Sequence, residues 1–196
     1  MSSLFYRGQF DNYKVSDLRK SQESIRESYI QDSYFSQRKK RVFLSHKHDD
    51  LEDLKGVIGM LEDHFNVDVY IDSMDKTMPK ITSGETAIRI KDTIKKCDKF
   101  ILLATEKATE SKWCNWELGF GDAVKGSTKS IALFPMRETK TSFYMGIEYL
   151  EIYPYIVYEN GTSKFSDGRY IERGYYVVEK RNGTNYYTPL KKWFES

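Results

Sequence analysis

The chain has 196 residues, 31 Lys+Arg against 29 Asp+Glu, and a hydrophobic fraction of 39%. That length holds one ordinary domain with extensions, and that composition is globular rather than disordered or membrane-embedded. A net charge of +2 gives no field to draw in nucleic acid or an anionic membrane, and no apolar run nears the roughly 20 residues of a spanning helix, so neither is expected as a partner.

Residues 1–40 are polar and run into the basic cluster Arg38, Lys39, Lys40 and Arg41, which reads as a solvated connection. Val15, Leu18, Ile25, Tyr29 and Ile30 recur at loose helical spacing and predict a helix from about Ser16 to Tyr34, an N-terminal extension. The start carries no signal-peptide core and no myristoylation pattern. Cys97 and Cys114 are too few for a disulfide framework, and neither stands at metal-ligand spacing from a His. A cytoplasmic, reduced protein with no bound metal is expected.

From residue 41 to 136, apolar runs alternate with amphipathic segments. The runs are Val42 to Leu44, Val67 to Ile71, Phe100 to Ala104 and Ile131 to Phe134, each short and nearly continuous, as in strands buried on both faces. Between them lie three helical stripes: Leu51, Leu54, Ile58, Leu61 and Phe65; then Ala87, Ile90, Ile94 and Cys97; then Trp113, Trp116, Phe120 and Val124. Alternating strand and helix predicts an α/β fold, a doubly wound parallel sheet with right-handed crossovers. Asp49 or Asp50 is placed to cap the first helix, Thr82 with Glu85 has capping-box spacing for the second, Ser111 fits the start of the third and Gly126 its end.

Beyond residue 137 the character changes, and ten of the fifteen tyrosines fall from Tyr144 onward. Tyr149 to Tyr158 predicts a fifth strand, with Pro154 putting part of it at an edge or bulge. Asn182–Gly183 between Tyr175–Glu179 and Asn185–Tyr187 predicts a β-hairpin, and Leu190 to Phe194 a closing helical turn. The organisation expected is an extension over 1–40, a central domain over 41–158 and a tyrosine-rich appendage over 159–196. Its tyrosines are read as a layer covering the sheet edge, hydroxyls outward.

In an open parallel sheet, ligands bind beyond the carboxyl ends of the strands. Ser45 to Asp50 follow the first run, Asp72 to Asp75 the second, and Thr105 to Lys107 the third, while Trp113 to Glu117 begin a helix at the same edge. No glycine-rich phosphate loop follows the first strand, which argues against a Rossmann dehydrogenase and a P-loop NTPase. Gly119 and Gly121 lie inside a helix and read as close packing against the sheet. His46, His48, Asp49 and Asp50 come from one loop without a distant third ligand, so they do not read as a metal centre.

The strand Val42-Phe43-Leu44-Ser45-His46, the strand Val69-Tyr70-Ile71-Asp72, the strand Phe100 to Thr105, and the run Ser111-Lys112-Trp113-Cys114-Asn115-Trp116-Glu117-Leu118 together resemble a TIR domain over about half the chain. The last run, placed after the third strand, is the specific part. Among TIR proteins the sequence is most similar to bacterial members of anti-phage defence, the TIR component of Thoeris systems. The resemblance implies a flavodoxin-like sheet and, in the catalytic branch, cleavage of the nicotinamide glycosidic bond of NAD as substrate, with no separate cofactor. It places the catalytic glutamate on Glu117 and the substrate pocket on Phe43, Leu44, Ser45, His46, Asp72 with the loop to Gly84, Trp113 and Cys114. It implies as product a nucleotide signal, a cyclic ADP-ribose isomer in the Thoeris-like case, that activates a partner effector, and it raises self-association.

Loss of nicotinamide leaves a ribosyl cation like the oxocarbenium transition state of glycoside hydrolysis, which an ionised carboxylate stabilises. A Glu near its ordinary pKa of about 4.3 is charged at pH 7. By pattern alone Glu117 reads as a surface acid on an amphipathic helix, Trp116 as core, and both cysteines as buried small apolar residues. Glu85 has the bland role of a capping-box return and is a second catalytic candidate. A non-catalytic adaptor that binds other proteins through its helices and loops is the alternative function.

Overall fold

The computed structural model describes residues 3–16, 38–72, 84–126, 129–144 and 146–196. The helix expected from Ser16 to Tyr34, the Thr82 cap and most of the loop from Asp72 to Gly84 lie outside the described residues.

Among the described residues eight strands form one sheet: β1 (Phe5–Tyr6), β2 (Arg41–Ser45), β3 (Asp68–Tyr70), β4 (Lys99–Ala104), β5 (Ile131–Arg137), β6 (Tyr155–Glu159), β7 (Gly174–Arg181) and β8 (Thr184–Pro189). The helices are α1 (Leu51–Phe65), α2 (Gly84–Lys96), α3 (Glu106–Thr109), α4 (Lys112–Lys125), α5 (Ile147–Ile152) and α6 (Leu190–Glu195). The strand order is β3-β2-β4-β5-β6-β7-β8, and the first five are parallel neighbours, which is the doubly wound, flavodoxin-like order. Each parallel strand is covered on both faces, so it carries apolar residues without alternation. In β2, Val42 and Leu44 pack with α1, while Phe43 packs with α2 and α4, stacked on Phe100 at 5.6 Å.

The tail differs from the covering layer expected. β7 pairs antiparallel with β6 through five residue pairs and β8 with β7, so the tyrosine-rich segment continues the sheet instead of lying on it. The hairpin turn is Asn182–Gly183 with φ of 49° and 77°, both in the left-handed region its type requires. α6 then lays Leu190, Trp193 and Phe194 on the α1 face. Tyr149–Ile152 are helical, not strand. Pro154 stands just before β6, an interior strand, and its carbonyl accepts from Leu133 N at 2.8 Å.

The N-terminal segment is built into the same unit. β5 and β6 pair at one position, Leu133 with Tyr155; beyond it, β1 pairs with Met136 and Arg137, and Ser3 bridges Tyr158. Phe5 stacks on Phe134 at 4.4 Å, and Phe10 packs beside both. The 3-10 turn Asp11–Tyr13 lies against α1 where Gly56 and Gly59 leave a notch: an added Cβ would meet Phe10 O at 2.5 Å and Tyr13 O at 1.9 Å. Arg7 closes the strap, donating to Asp50 and Asp53 at 2.6 Å each and to Glu138 at 2.9 Å. Asp50 precedes α1 as expected but makes no side-chain cap; its second oxygen accepts from Thr105 Oγ1 at 2.6 Å.

Candidate active site

The start of α4 meets the end of β2. Ser111 caps the helix by accepting from Cys114 N at 3.4 Å, and Gly126 ends it in the left-handed region at φ 57°. The face turned to the sheet is Cys114, Glu117, Leu118 and Gly121, not the expected stripe of Trp113, Trp116, Phe120 and Val124. A Cβ on Gly121 would stand 3.1 Å from the Phe100 ring, so that glycine is a close-packing one, whereas Gly119 faces open space. The aromatic stripe is a partly buried ladder on the flank of α4: Trp113 stacks on Trp116 at 4.9 Å and Trp116 on Phe120 at 6.1 Å, with Lys91 of α2 within 5.6 Å of the Trp116 ring. Trp116 is thus not the core residue predicted.

Because α4 turns this face inward, Glu117 is 1% exposed, and the surface-acid reading is wrong. Ser45 Oγ donates to Glu117 Oε2 at 2.5 Å, while Oε1 has no hydrogen bond. Burial first, and the negative charge of Asp72 second, push the Glu117 carboxyl well above the usual carboxylate range; the Ser45 hydroxyl and the Trp113 indole pull it partly back. The expectation of an ordinary pKa is therefore corrected: a carboxylate taken out of water beside another loses the solvation that keeps it ionised.

His46 and Cys114 share this environment. His46 is 7% exposed, its Nδ1 3.4 Å from Leu44 O and 3.9 Å from Asp72 Oδ1. Burial lowers its pKa below the ordinary 6.5, so the ring is neutral at pH 7. Burial likewise raises the Cys114 thiol, opposed by Ser111 and Ser45, which leaves it a thiol and no nucleophile.

The structure thus brings together Ser45, His46, Asp72, Trp113, Cys114 and Glu117. Phe43 lies beneath them, fully buried between Phe100 and Tyr70. Leu44 does not join: one residue along a strand reverses the face, and its side chain packs with α1 in the opposite layer. Glu85 does not join either; its carboxylate is 64% exposed and paired with Arg89 at 2.7 Å. Arg7 escaped sequence reasoning altogether, since nothing local ties it to an aspartate 43 residues on. Among the described residues no group of three or more His, Cys, Asp or Glu is placed to hold a metal. No helix among them is long and apolar enough to cross a membrane.

A doubly wound parallel sheet in this strand order defines a flavodoxin-like domain, and its buried glutamate lies near the carboxyl edge of the strands, where such sheets bind ligands. A family model described as TIR domain matches residues 42–166, and the chain belongs to the TIR domain family. Domains of this family act as NAD-cleaving enzymes or as adaptors, and they commonly self-associate. No curated protein matches the chain.

Proposed function

We propose that this TIR domain cleaves the bond between nicotinamide and ribose in NAD, with Glu117 as the carboxylate that stabilises the ribosyl cation. What supports this most is the Ser45–Glu117 pair: a buried carboxylate at the sheet's binding edge, held on one oxygen and unbonded on the other. The C1′–N bond breaks, its electron pair leaves with nicotinamide as a neutral pyridine, and C1′ is left as an oxocarbenium centre. Water capture gives ADP-ribose and a proton; an internal nucleophile of the same molecule gives a cyclic ADP-ribose and a proton. Trp113, beside the carboxylate, offers a flat face for the departing ring. The product then acts as a signal on a partner effector, in the manner of the anti-phage systems whose TIR motifs this chain resembles.

The raised pKa of Glu117 shapes the proposal. In the empty site, burial and Asp72 favour the protonated carboxyl. A bound pyridinium favours the carboxylate, so NAD binding drives a proton off, and kcat/KM, which reports the free enzyme, falls as pH drops through the raised pKa. Incubation of the protein with NAD while following nicotinamide tests the reading; undiminished release by Glu117→Gln refutes the residue's role.

An adaptor role is the second reading, supported by Ile88, an isoleucine 61% exposed on α2. Self-association that survives Glu117→Gln in a protein releasing no nicotinamide favours it.

A further inference from the structure

A cavity of about 530 Å³ lies beside the end of β5, the first half of β6 and the β7–β8 turn, and none of the residues gathered around Glu117 lines it. Leu4, Lys180 and Asn185, which do line it, lie outside the TIR-matched segment, so the two ends of the chain wall a space the family's core does not define. The volume is that of ordinary small-molecule sites.

Its polar groups are unbalanced. Arg137, the last residue of β5, donates from Nη2 to Leu4 O at 3.2 Å and from Nη1 to Ser142 O at 3.5 Å. Its Nε is buried without a hydrogen bond, and no carboxylate among the described residues pairs with it. Of the acids close by, Glu138 is paired with Arg7 and Glu151 with Lys180, while Glu148 lies near Tyr144. Glu159, two residues past Val157 on the same face of β6, does not line the cavity. Tyr144 does line it, 4% exposed, with a hydroxyl that has no hydrogen-bond partner. Burial, then Glu148, hold that phenol protonated and therefore a donor. The rest of the lining is mixed: Leu4, Tyr155, Val157 and Phe143, the last 73% exposed, form an apolar side, and Ser142, Asn185 and the Glu151–Lys180 pair a polar one.

Buried donors without acceptors are rare and call for a partner. A guanidinium and a phenol beside one apolar side match an oxyanion on an apolar body, because charge-assisted bonds satisfy the donors while Leu4, Phe143, Tyr155 and Val157 take up the rest. We propose that this cavity is a binding site, separate from the Glu117 site, for a small molecule with one oxyanion group, carboxylate or phosphate monoester, on an aromatic or similarly apolar body.

Titration of the full chain with benzoate, phenyl phosphate, benzyl alcohol and inorganic phosphate, followed by calorimetry and saturation-transfer NMR, tests it. Benzoate or phenyl phosphate is expected to bind saturably at one site, and which of the two binds tighter separates a carboxylate ligand from a phosphate ester. Benzyl alcohol and inorganic phosphate each lack one half of the match and are expected to bind at least about tenfold more weakly. Arg137→Gln removes the charge, and because Arg137 also holds Leu4, Phe143→Glu serves as a second variant at an exposed position that sets a repelling charge beside the cavity. Each is expected to weaken the probe by about tenfold or more. Absence of saturable binding by both anionic probes, equal binding of benzyl alcohol, indifference to Phe143→Glu, or displacement of the probe by NAD overturns the proposal.

Discussion

Asp50 and Glu117 are both buried carboxylates near the carboxyl edge of the parallel strands, 0% and 1% exposed, and their partners differ. Asp50 has Arg7 on one oxygen and Thr105 on the other. Glu117 has Ser45 on one oxygen and no hydrogen bond on its second. A buried charge is costly unless paired and bonded. Asp50 meets that condition and ties the N-terminal strap to the sheet, which is a structural result. Glu117 does not meet it, and Asp72 worsens its position, so the fold keeps a carboxyl there at a cost in stability. Glu159 ends β6 with neither oxygen bonded, which shows that an unsatisfied acceptor alone does not define a site. Around Glu117 there are also His46, Asp72 and the tryptophan ladder.

The contrast can be broken from either side. Glu117→Gln is expected to lower nicotinamide release by about 10² to 10³, the usual cost of removing one preorganised electrostatic group, while Glu85→Gln leaves it unchanged. Arg7→Met leaves Asp50 buried and short of its cation, and urea unfolding should show a loss of about 3 kcal/mol, the low end for an orphaned buried charge because Arg7 is itself 22% exposed. An unchanged midpoint would mean that Asp50 is not held as described. Gly59→Ala drives a Cβ into Tyr13 O and is expected to cost about 1–3 kcal/mol in the same assay. The smallest effect has the opposite sign. The folded state binds the Glu117 proton more tightly than the unfolded chain, so stability falls as pH rises from the ordinary carboxyl pKa through the raised one. Glu117→Gln removes that loss and should melt higher than wild type at pH 8, by about 2–4 °C per kcal/mol relieved, with the gap closing near pH 4.

Much of the parallel half was legible because its signals are local. Apolar runs mark β2, β4 and β5, Ser111 and Gly126 bracket α4, and Asn182–Gly183 marks the hairpin. What escaped depends on partners distant in sequence or on rotation about an axis. The α4 stripe looked like a core face because its tryptophans and Phe120 are large, yet the small Cys114 and Gly121 face the sheet and the large rings lie to the side. Leu44 was included with its neighbours although alternation along β2 sends it to the other layer. Arg7, the Gly56–Gly59 notch and the pairing of β7 with β6 are made by segments with no short-range signature. Glu117 itself was reached through resemblance to the TIR motif; its burial and raised pKa follow from contacts with Ser45 and Asp72 that only the fold creates.

The most direct test is the pH profile of nicotinamide release from NAD by wild type beside Glu117→Gln. A buried Ser45–Glu117 pair as the origin of the activity predicts that release at subsaturating NAD rises with pH along a limb centred well above the ordinary carboxyl range, and that the limb vanishes in the variant. Release that stays constant down to pH 5, or a limb that persists in Glu117→Gln, contradicts a catalytic role for this carboxylate.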